Sequence, residues 1–340
     1  MTVNERIDAL VNLGEHLSNN DPAWQGAKER AERENAWFTQ NFINQSVHAI
    51  TQNFLQRNVL ERLAAKYELP NKNRAPQKVG LVMAGNIPLV GFHDLMCIFL
   101  TGHHALVKPS SKDSILPLYV INFLNQQSKT ASLLTIAENL KGCDAYIATG
   151  GNNTARYFEY YFSPYPHIIR KNRTSVAVLD GTETAEELSA LADDIHLYFG
   201  LGCRNVTKLY VPEGYDFLPL IDALKKYNHL IDHNKFKNNY DYHLAVHLLN
   251  GKKYMTTGAL LLIEDEALFS PIAQLNYEFY TDAVALSRSL ADNEAVQAVA
   301  GHGFVPFGQA QCPTVDTFAD GVATIAFLKN LGQQAHLRNP

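Results

Sequence analysis

The stretch Val79-Gly80-Leu81-Val82-Met83 is a short apolar run that directly follows the breaker-rich segment Pro70-Asn71-Lys72-Asn73-Arg74-Ala75-Pro76. Such a run, bounded by turn residues, is typical of a buried strand. From this point strand patterns alternate with helical patterns, which predicts a parallel α/β sheet with right-handed crossovers. The strand candidates are residues 79–83, 105–107, 145–148, 176–179 and 206–211, with 259–263 and 304–307 as candidates for a second sheet.

The region before this strand, residues 4–66, carries apolar residues at helical spacing. Leu10, Leu13 and Leu17 share one helix face, and a later stripe includes Leu60 and Leu63. We therefore expect a helical cover over the first part of the sheet. A chain of 340 residues exceeds the size at which single cores stop growing, so two domains are expected.

The composition is that of an ordinary soluble globular protein, with 46% hydrophobic and 19% charged residues. A net charge of -5 provides no basic patch of the kind that nucleic acid requires. Residues 1–17 contain charged side chains that a secretory signal lacks. The longest apolar region, 87–107, is interrupted by His93-Asp94 and His103-His104 and predicts no membrane span. The expectation is a soluble cytoplasmic protein.

Cys203 lies in Phe199-Gly200-Leu201-Gly202-Cys203-Arg204-Asn205, between a helical pattern and a strand pattern. The helix is predicted to start at the capping box formed by Thr184 and Glu187. Glycines at 200 and 202 allow backbone conformations closed to other residues and keep the thiol accessible. The positive charge of Arg204 favours the thiolate, the form that attacks a carbonyl. Cys203 is therefore the candidate nucleophile.

Two segments after strand candidates carry a recognisable pattern: Met83-Ala84-Gly85-Asn86-Ile87-Pro88-Leu89 and Ala105-Leu106-Val107-Lys108-Pro109-Ser110. Their order resembles the aldehyde dehydrogenase superfamily, in which an Asn-x-Pro-Leu segment is followed by a strand ending in Lys-Pro-Ser. The resemblance implies that the Asn86 amide helps form an oxyanion hole, and that Lys108, Pro109 and Ser110 bind the nicotinamide cofactor. Gly85 stands where the family has tryptophan, which predicts a more open wall of the site.

The turn Ala148-Thr149-Gly150-Gly151-Asn152 follows the strand candidate at 145–148. It resembles the Thr-Gly-Ser turn of the same superfamily, whose helix N-terminus faces the cofactor pyrophosphate. Gly150 and Gly151 are therefore cofactor-binding candidates. The resemblance also implies a fold with a Rossmann-type cofactor domain and an α/β catalytic domain. We expect residues 1–198 to form the helical cover and cofactor domain, and residues 199–340 the catalytic domain.

The stretch His167-Ile168-Ile169-Arg170-Lys171-Asn172-Arg173-Thr174-Ser175-Val176-Ala177-Val178 contains no carboxylate. Aldehyde dehydrogenases usually carry here a glutamate that activates water, and arginine cannot replace it as a base. This departure resembles the LuxC-type branch, the fatty acyl-CoA reductases, over about residues 75–330. The resemblance implies reduction of an acyl-CoA to an aldehyde through a thioacyl Cys203, with NADPH, or alternatively NADH, as the cofactor.

Two other functions remain open from the sequence. The chain could oxidise an aldehyde to an acyl-CoA, or it could be a non-catalytic subunit that binds acyl-CoA or a nucleotide. A homo-oligomer or an acyl-donating partner enzyme are the candidate protein partners.

The remaining chemistry-bearing residues favour structural roles. Cys97 and Cys143 are expected in the core, and Cys312 is the rival nucleophile. His196 and His167 are candidate proton carriers, and no metal site is predicted. Aromatic residues 157–162 are expected to pack in the core, with an acyl channel as the alternative. Residues 170–173 could hold phosphates or form a solvated loop.

Overall fold

The computed structural model describes residues 1–127 and 133–338. Its chain forms two compact units, one of Met1–Asn172 with Pro313–Pro340 and one of Arg173–Cys312. This division differs from the predicted boundary after residue 198. The change of unit comes earlier, because residues 174–178 pair into the second sheet. The C-terminal segment returns to the first unit, because its last helix packs on a helix of that unit.

The predicted helical cover forms the start of the first unit. Thr2 accepts a hydrogen bond from the Glu5 backbone while the Glu5 carboxylate accepts one from the Thr2 backbone, so a capping box starts the first helix. Asp21 caps the second helix in front of Pro22. The cover and the other helices of this unit are α1 Val3–Ser18, α2 Pro22–Glu34, α3 Gln40–Asn53, α4 Arg57–Lys66, α5 Phe92–Thr101, α6 Ile115–Gln127, α7 Asn152–Phe162 and α12 Thr324–Arg338.

The sheet of the first unit is parallel, and its strand order within the described residues is β3-β2-β1-β4-β5. Its strands are β1 Lys78–Val82, β2 His104–Lys108, β3 Leu134–Ile136, β4 Ala145–Thr149 and β5 His167–Arg170. The chain runs outward from β1 to β3 and then crosses back to β4 on the other side of β1. Such a reversal creates a crevice outside the carboxyl ends of the strands, where ligands bind in open α/β sheets.

A buried ion pair ties the C-terminal segment to this unit. Arg170 donates to both carboxylate oxygens of Asp94, at 3.1 and 2.8 Å. It also donates to the Thr324 hydroxyl at 2.8 Å and to the Ala319 carbonyl at 2.5 Å. The prediction that Arg170 belongs to a solvated loop or binds phosphate is therefore wrong, because its guanidinium is enclosed and its donors are engaged.

The sheet of the second unit has the order β11-β6-β7-β10-β9-β8 over the residues described, parallel except for the edge strand β8. Its strands are β6 Thr174–Val178, β7 Val206–Pro212, β8 Met255–Thr256, β9 Leu261–Glu264, β10 Gln274–Tyr280 and β11 Val296–Gly301. Its helices are α8 Ala185–His196, α9 Leu218–Leu224, α10 Asn234–Leu249 and α11 Ala283–Ala291. A capping box of Thr184 and Glu187 starts α8, as predicted.

The α/β fold class is confirmed, but the strand prediction misplaces three candidates and lacks β3, β5, β8, β10 and β11. Residues 176–179 and 206–211 belong to the second sheet rather than continuing the first. Residues 304–307 form no strand, because Val305 makes just an isolated bridge to Ala300 after the tight turn at Gly301 and Gly303. No helix among the described residues is both long and apolar enough to cross a membrane.

Candidate functional site

The structure brings Asn86 and Lys108 to one edge of the first sheet. Val82, the last residue of β1, is paired with Lys108, the last residue of β2. The Met83 backbone donates to the Lys108 carbonyl at 3.0 Å, which extends this pairing by one residue. Lys108 is exposed and Asn86 is half-buried. Both predicted residues thus follow neighbouring strands at their carboxyl ends.

Gly150 and Gly151 lie at the same edge, on the other side of β1. Val82 pairs with Ala148 of β4, and Gly150 follows β4 directly. Gly151 is the N-cap of α7, so the unpaired amides of that helix begin at this edge. The strand order reverses at β1. Asn86 and Lys108 follow β1 and β2 on one side of this point, and the glycine turn follows β4 on the other side.

This edge fits a nicotinamide dinucleotide. Lys108 offers an exposed ammonium beside the crevice, and the helix N-terminus at Gly151 offers amides to a pyrophosphate. A Cβ atom built on Gly151 would have no heavy atom within 4 Å, so the backbone there is open to a ligand. Pro109 and Ser110 form the half-buried turn that follows Lys108.

Gly85 does not open the wall of the site, contrary to the prediction. A Cβ atom at this position would lie 2.7 Å from the Ser110 Cβ and 3.0 Å from the Asp113 backbone nitrogen. The space that a larger side chain would need is filled by the turn after β2. Glycine is required here for close packing of two chain segments.

Asp113 holds the segment after Asn86, and sequence reasoning missed it. Its carboxyl accepts a hydrogen bond from the Leu89 backbone at 2.7 Å, and the side chain is buried. Burial raises the pKa of Asp113 to about 7, opposed by hydrogen bonds from the backbones of Leu89 and Leu116. The signal in the sequence was weak, because an aspartate after Ser-Ser-Lys is also typical of an exposed turn.

Cys203 lies in the second unit on a turn with an unusual backbone. Three consecutive residues before it, Tyr198, Phe199 and Gly200, have positive φ angles of 55°, 56° and 74°. Each non-glycine residue in this region costs about 1–2 kcal/mol. The side chains of Tyr198 and Phe199 are buried and oppose this cost by packing. Cys203 itself is half-buried, and the Ser175 hydroxyl donates to its carbonyl at 3.2 Å.

Asn205 closes the turn that carries Cys203. Its amide oxygen accepts from the Gly202 backbone at 2.7 Å. Its amide nitrogen lies 2.8 Å from the Leu197 carbonyl, with two further carbonyls at the end of α8 within 3.3 Å. The side chain is completely buried. Gly202 and Asn205, which are joined by the first of these hydrogen bonds, lie on either side of Cys203 in the chain and fix its position. This role of Asn205 was not predicted from the sequence, where the residue is simply part of the turn.

The other cysteines differ from Cys203 in their surroundings. Cys97 and Cys143 are buried, as predicted, and burial raises the pKa of Cys97 well above its usual range and that of Cys143 to about 11. Cys312 is exposed, but partial burial of its thiol and the nearby Asp194 carboxyl raise its pKa. Each of these three thiols is therefore held away from the thiolate form.

The candidate proton carriers have different environments. His196 is buried, donates from Nδ1 to the Ala192 carbonyl (2.9 Å) and stacks on Tyr227. Burial lowers the pKa of His196 to about 4, so the prediction that it carries a proton near neutral pH is wrong. His167 lies on β5 in the first unit, where it is exposed and its Nδ1 contacts the Tyr165 carbonyl. Arg204 is half-buried.

The aromatic segment before β5 is mostly outside the core, contrary to the prediction. Tyr157, Tyr160 and Tyr161 are 66%, 77% and 65% exposed. Phe162 does pack inward and stacks on Tyr146 with ring centroids 4.0 Å apart. The helical period explains the division, because α7 turns one narrow face toward the sheet.

His302 forms an ion-pair cluster with acidic residues on the second unit. Its two ring nitrogens lie 2.8 Å from the Asp180 carboxylate and 3.0 Å from the Glu187 carboxylate. Hydrogen bonds to both carboxylates raise the pKa of His302 to about 9. Asp180, Glu183 and His302 are close enough to share a cation. A protonated imidazole offers no lone pair to a metal, so the geometry is that of a charged cluster.

The fold is similar to that of solved aldehyde dehydrogenases. Aldehyde dehydrogenase 21 from Physcomitrella patens, in complex with the reaction product succinate, superposes with a TM-score of 0.68 at 11% identity, covering 97% of this chain and 84% of that one. An aldehyde dehydrogenase from Mycobacterium tuberculosis complexed with NAD+ gives 0.65 at 13% identity, covering 88% and 73%. The fold is that of the aldehyde dehydrogenases.

The sequence matches are more specific. Residues 24–231 match the family described as acyl-CoA reductase (LuxC). Long-chain acyl-protein thioester reductase 2 of Photobacterium leiognathi is 23% identical over 237 residues, which are 63% of this chain and 49% of that protein. The long-chain acyl-protein thioester reductase of Photorhabdus laumondii is 23% identical over 209 residues, 56% of this chain and 40% of that protein.

The chain belongs to the acyl-CoA reductase (LuxC) family, because the family match covers more than half of it. It spans about half the length, or less, of these two curated relatives.

Proposed function

We propose that the chain reduces an acyl thioester to an aldehyde, with Cys203 as the acyl acceptor. The observation that carries the proposal is the anchored turn: in a LuxC-family chain, Asn205 and three left-handed residues fix Cys203 as the half-buried thiol. Cys97, Cys143 and Cys312 all have raised pKa values. Backbone strain of this kind is concentrated at functional sites.

The first half-reaction transfers the acyl group. The Cys203 thiolate attacks the thioester carbon, a carbon–sulfur bond forms, and the carrier leaves as a thiolate that takes up a proton. The Asn86 amide and the Cys203 backbone N–H are the donors we assign to the oxyanion that develops. Loss of one such donor typically costs about 2.7–4 kcal/mol of transition-state stabilisation.

The second half-reaction releases the aldehyde. When bound at the edge of the first sheet, the nicotinamide supplies the hydride that reduces the thioacyl carbon. Lys108, Pro109, Ser110, Gly150 and Gly151 are the residues we assign to holding it. The resulting thiohemiacetal oxyanion is stabilised by the same two donors, and its collapse returns the electron pair of the carbon–sulfur bond to Cys203.

Hydrolysis of the thioacyl group is expected to be slow. The stretch between His167 and Val178 carries no carboxylate, and Arg170 within it is engaged by Asp94. Without a general base there, water lacks the activation that typically contributes 10²–10⁴-fold. The acyl group therefore remains on Cys203 until hydride arrives. This favours a reductase over an acid-forming dehydrogenase.

The carrier thiol and the cofactor define the finer proposal. The family description favours acyl-CoA as the donor, and NADPH is the proposed reductant with NADH as the alternative. The names of the two relatives support a second candidate, an acyl group carried on a protein thiol and delivered by a partner enzyme. These choices are separated by a screen of acyl-CoA and acyl-protein thioesters of several chain lengths with each nicotinamide. The rate is measured as the decrease in the absorbance of the reduced nicotinamide.

Peptide mapping by mass spectrometry after mixing the chain with acyl-CoA tests the covalent step. We expect one acyl adduct on the Cys203 peptide, absent from Cys203→Ala and retained in the matched control Cys312→Ala. An adduct that survives Cys203→Ala would contradict the proposal, because another residue would then accept the acyl group. No adduct from either thioester class would also contradict it and would favour a non-catalytic binding subunit. Faster turnover from aldehyde with free coenzyme A and oxidised cofactor would instead favour the oxidative direction.

A further inference from the structure

Asp113 connects the two segments of the first unit that carry Asn86 and Lys108. Its backbone nitrogen donates to the Ser110 carbonyl at 3.1 Å and so closes the turn after β2. Its carboxyl reaches across to the other segment and accepts from the Leu89 backbone at 2.7 Å. One residue thus belongs to the Lys108 turn through its backbone and to the Asn86 segment through its side chain.

The Asn86 segment depends on such support because its backbone is strained. Leu89 has a φ angle of 55°, a conformation that costs a branched residue about 1–2 kcal/mol. Asp113 fixes the amide of this residue, and the Ser46 hydroxyl donates to the neighbouring Pro88 carbonyl at 2.7 Å. The fit at Gly85, where a Cβ atom would collide with Ser110, leaves no room for the two segments to shift independently.

The Asp113 carboxyl has no counterion role in this arrangement. Oδ2 accepts from Leu89, while Oδ1 is buried and meets no donor in good hydrogen-bond geometry among the described residues; the Leu116 backbone, in the first turn of α6, is a weaker second donor to the carboxyl. An orphan oxygen in the core costs free energy of about 1–3 kcal/mol. The residue is 3% exposed, so solvent does not compensate for this. The contact that reaches the Asn86 segment is the acceptor oxygen at the Leu89 amide, since Leu116 lies in α6, close to Asp113 in the chain.

We propose that Asp113 is a positioning residue that holds Asn86 and Lys108 in one fixed geometry. This inference rests on the proposed function, in which Asn86 serves the acyl oxygen and Lys108 the nucleotide. Loss of the Asp113 acceptor releases Leu89 from its left-handed conformation and displaces both segments. A misplacement of about 1 Å can cost about 100-fold in rate.

The test measures two quantities for each variant. One is the rate of Cys203 acylation by acyl-CoA without a nicotinamide, followed as released thiol, and the other is NADPH affinity by fluorescence titration. Asn86→Ala slows acylation by about 100-fold and leaves affinity unchanged. Lys108→Ala weakens NADPH affinity more than it slows acylation. Asp113→Ala reduces both by about tenfold or more.

Two variants serve as controls. Asp113→Asn keeps an acceptor oxygen for Leu89 and retains both quantities within about threefold. Asp144 accepts from the Lys78 backbone at 2.7 Å, the same kind of bond at the opposite end of β1. Asp144→Ala therefore removes an exposed bond of the same type and length away from the site, and both quantities stay unchanged. Asp113→Ser, whose hydroxyl is too short to reach Leu89, replaces Asp113→Ala if that variant does not fold, with the same two losses expected.

A folded Asp113→Ala that loses neither quantity, or just one of them, overturns the inference. A tenfold loss in Asp113→Asn overturns it as well, because the acceptor would then not be what matters. A wild-type chain that is not acylated contradicts the proposed function instead. In that case the affinity measurement decides alone, and equal NADPH affinities of wild type and Asp113→Ala overturn the positioning role.

Discussion

The Asn86 segment of the first unit and the Cys203 turn of the second are built on the same plan with different parts. Each contains at least one left-handed residue other than glycine, and in each a buried polar side chain accepts a hydrogen bond from a backbone amide of the turn. Asn205 is neutral and bonded through both ends of its amide. Asp113 is ionisable and has one oxygen without a partner. Cys203, the proposed nucleophile, therefore has a support that is insensitive to pH, and the segment of Asn86, the proposed oxyanion donor, has one that titrates.

The largest expected effect comes from removing the support of the nucleophile. Asn205→Ala leaves the Gly202 amide and the carbonyls at the end of α8 without their partner, which costs about 3 kcal/mol of unfolding free energy. We expect acylation by acyl-CoA to fall about 100-fold, because Cys203 loses its orientation. Denaturant unfolding and the thiol-release assay measure the two effects.

Asn276→Ala is the matched control for this variant. Asn276 is an equally buried asparagine of the second unit, with bonds to the Ala267 and Phe269 carbonyls. Its loss should destabilise the fold by a similar amount and leave the acylation rate of the folded protein near that of wild type. Equal acylation rates in both variants would show that Asn205 has no special role at Cys203.

The close approach in the first unit gives the next largest effect. Gly85→Ala places a Cβ atom 2.7 Å from the Ser110 Cβ, and such overpacking costs about 1–3 kcal/mol. Gly151→Ala is its control, since a Cβ atom there meets nothing within 4 Å. Thermal unfolding should separate the two variants clearly. If both variants unfold at the same temperature, the segments that contain Gly85 and Ser110 are not packed as tightly as described.

The pH dependence of stability distinguishes the two supports. Asp113 has a folded-state pKa of about 7, above its ordinary value of 3.8, so the stability it contributes is full below about pH 4 and is lost as pH rises through 7. Wild type should therefore lose on the order of 4 kcal/mol relative to Asp113→Asn between pH 4 and 8. Denaturant unfolding of both proteins at several pH values measures this difference, and a constant difference would contradict the raised pKa.

The smallest effect is expected at the start of the Cys203 turn. Gly200 has a φ angle of 74°, so Gly200→Ala should cost about 1 kcal/mol through backbone strain alone, because the nearest atom to the added Cβ is 3.5 Å away. Thermal unfolding measures this cost. A stabilised Gly200→Ala would mean that the turn is not left-handed in solution.

The sequence predicted the fold class and the helical cover, because apolar periodicity and capping boxes are local signals. Strand β10 was missed although its residues alternate between apolar and polar. The boundary near residue 172 and the return of residues 313–340 were also missed. The pairing of Arg170 with Asp94, 76 residues away, shows why. Contacts between distant segments leave no pattern in either segment alone.

The candidate site was predicted only in part, because some of its residues depend on contacts between distant segments. Asn86, Lys108 and Gly150 were found because their segments resemble those of the aldehyde dehydrogenases, and the structure places them at one sheet edge. Asp113 was missed because its importance lies in its burial and its bond to Leu89, which depend on packing. The prediction of an open wall at Gly85 was wrong because the sequence does not show that Ser110 fills the space beside the glycine.

A single-turnover experiment tests the central claim most directly. The chain is acylated by acyl-CoA without a nicotinamide, freed of excess thioester, and then mixed with NADPH while the Cys203 peptide is followed by mass spectrometry. We expect an adduct on Cys203 that persists without NADPH and is converted to one equivalent of aldehyde when NADPH is added. An adduct that decays to free acid at the same rate with and without NADPH would contradict this claim.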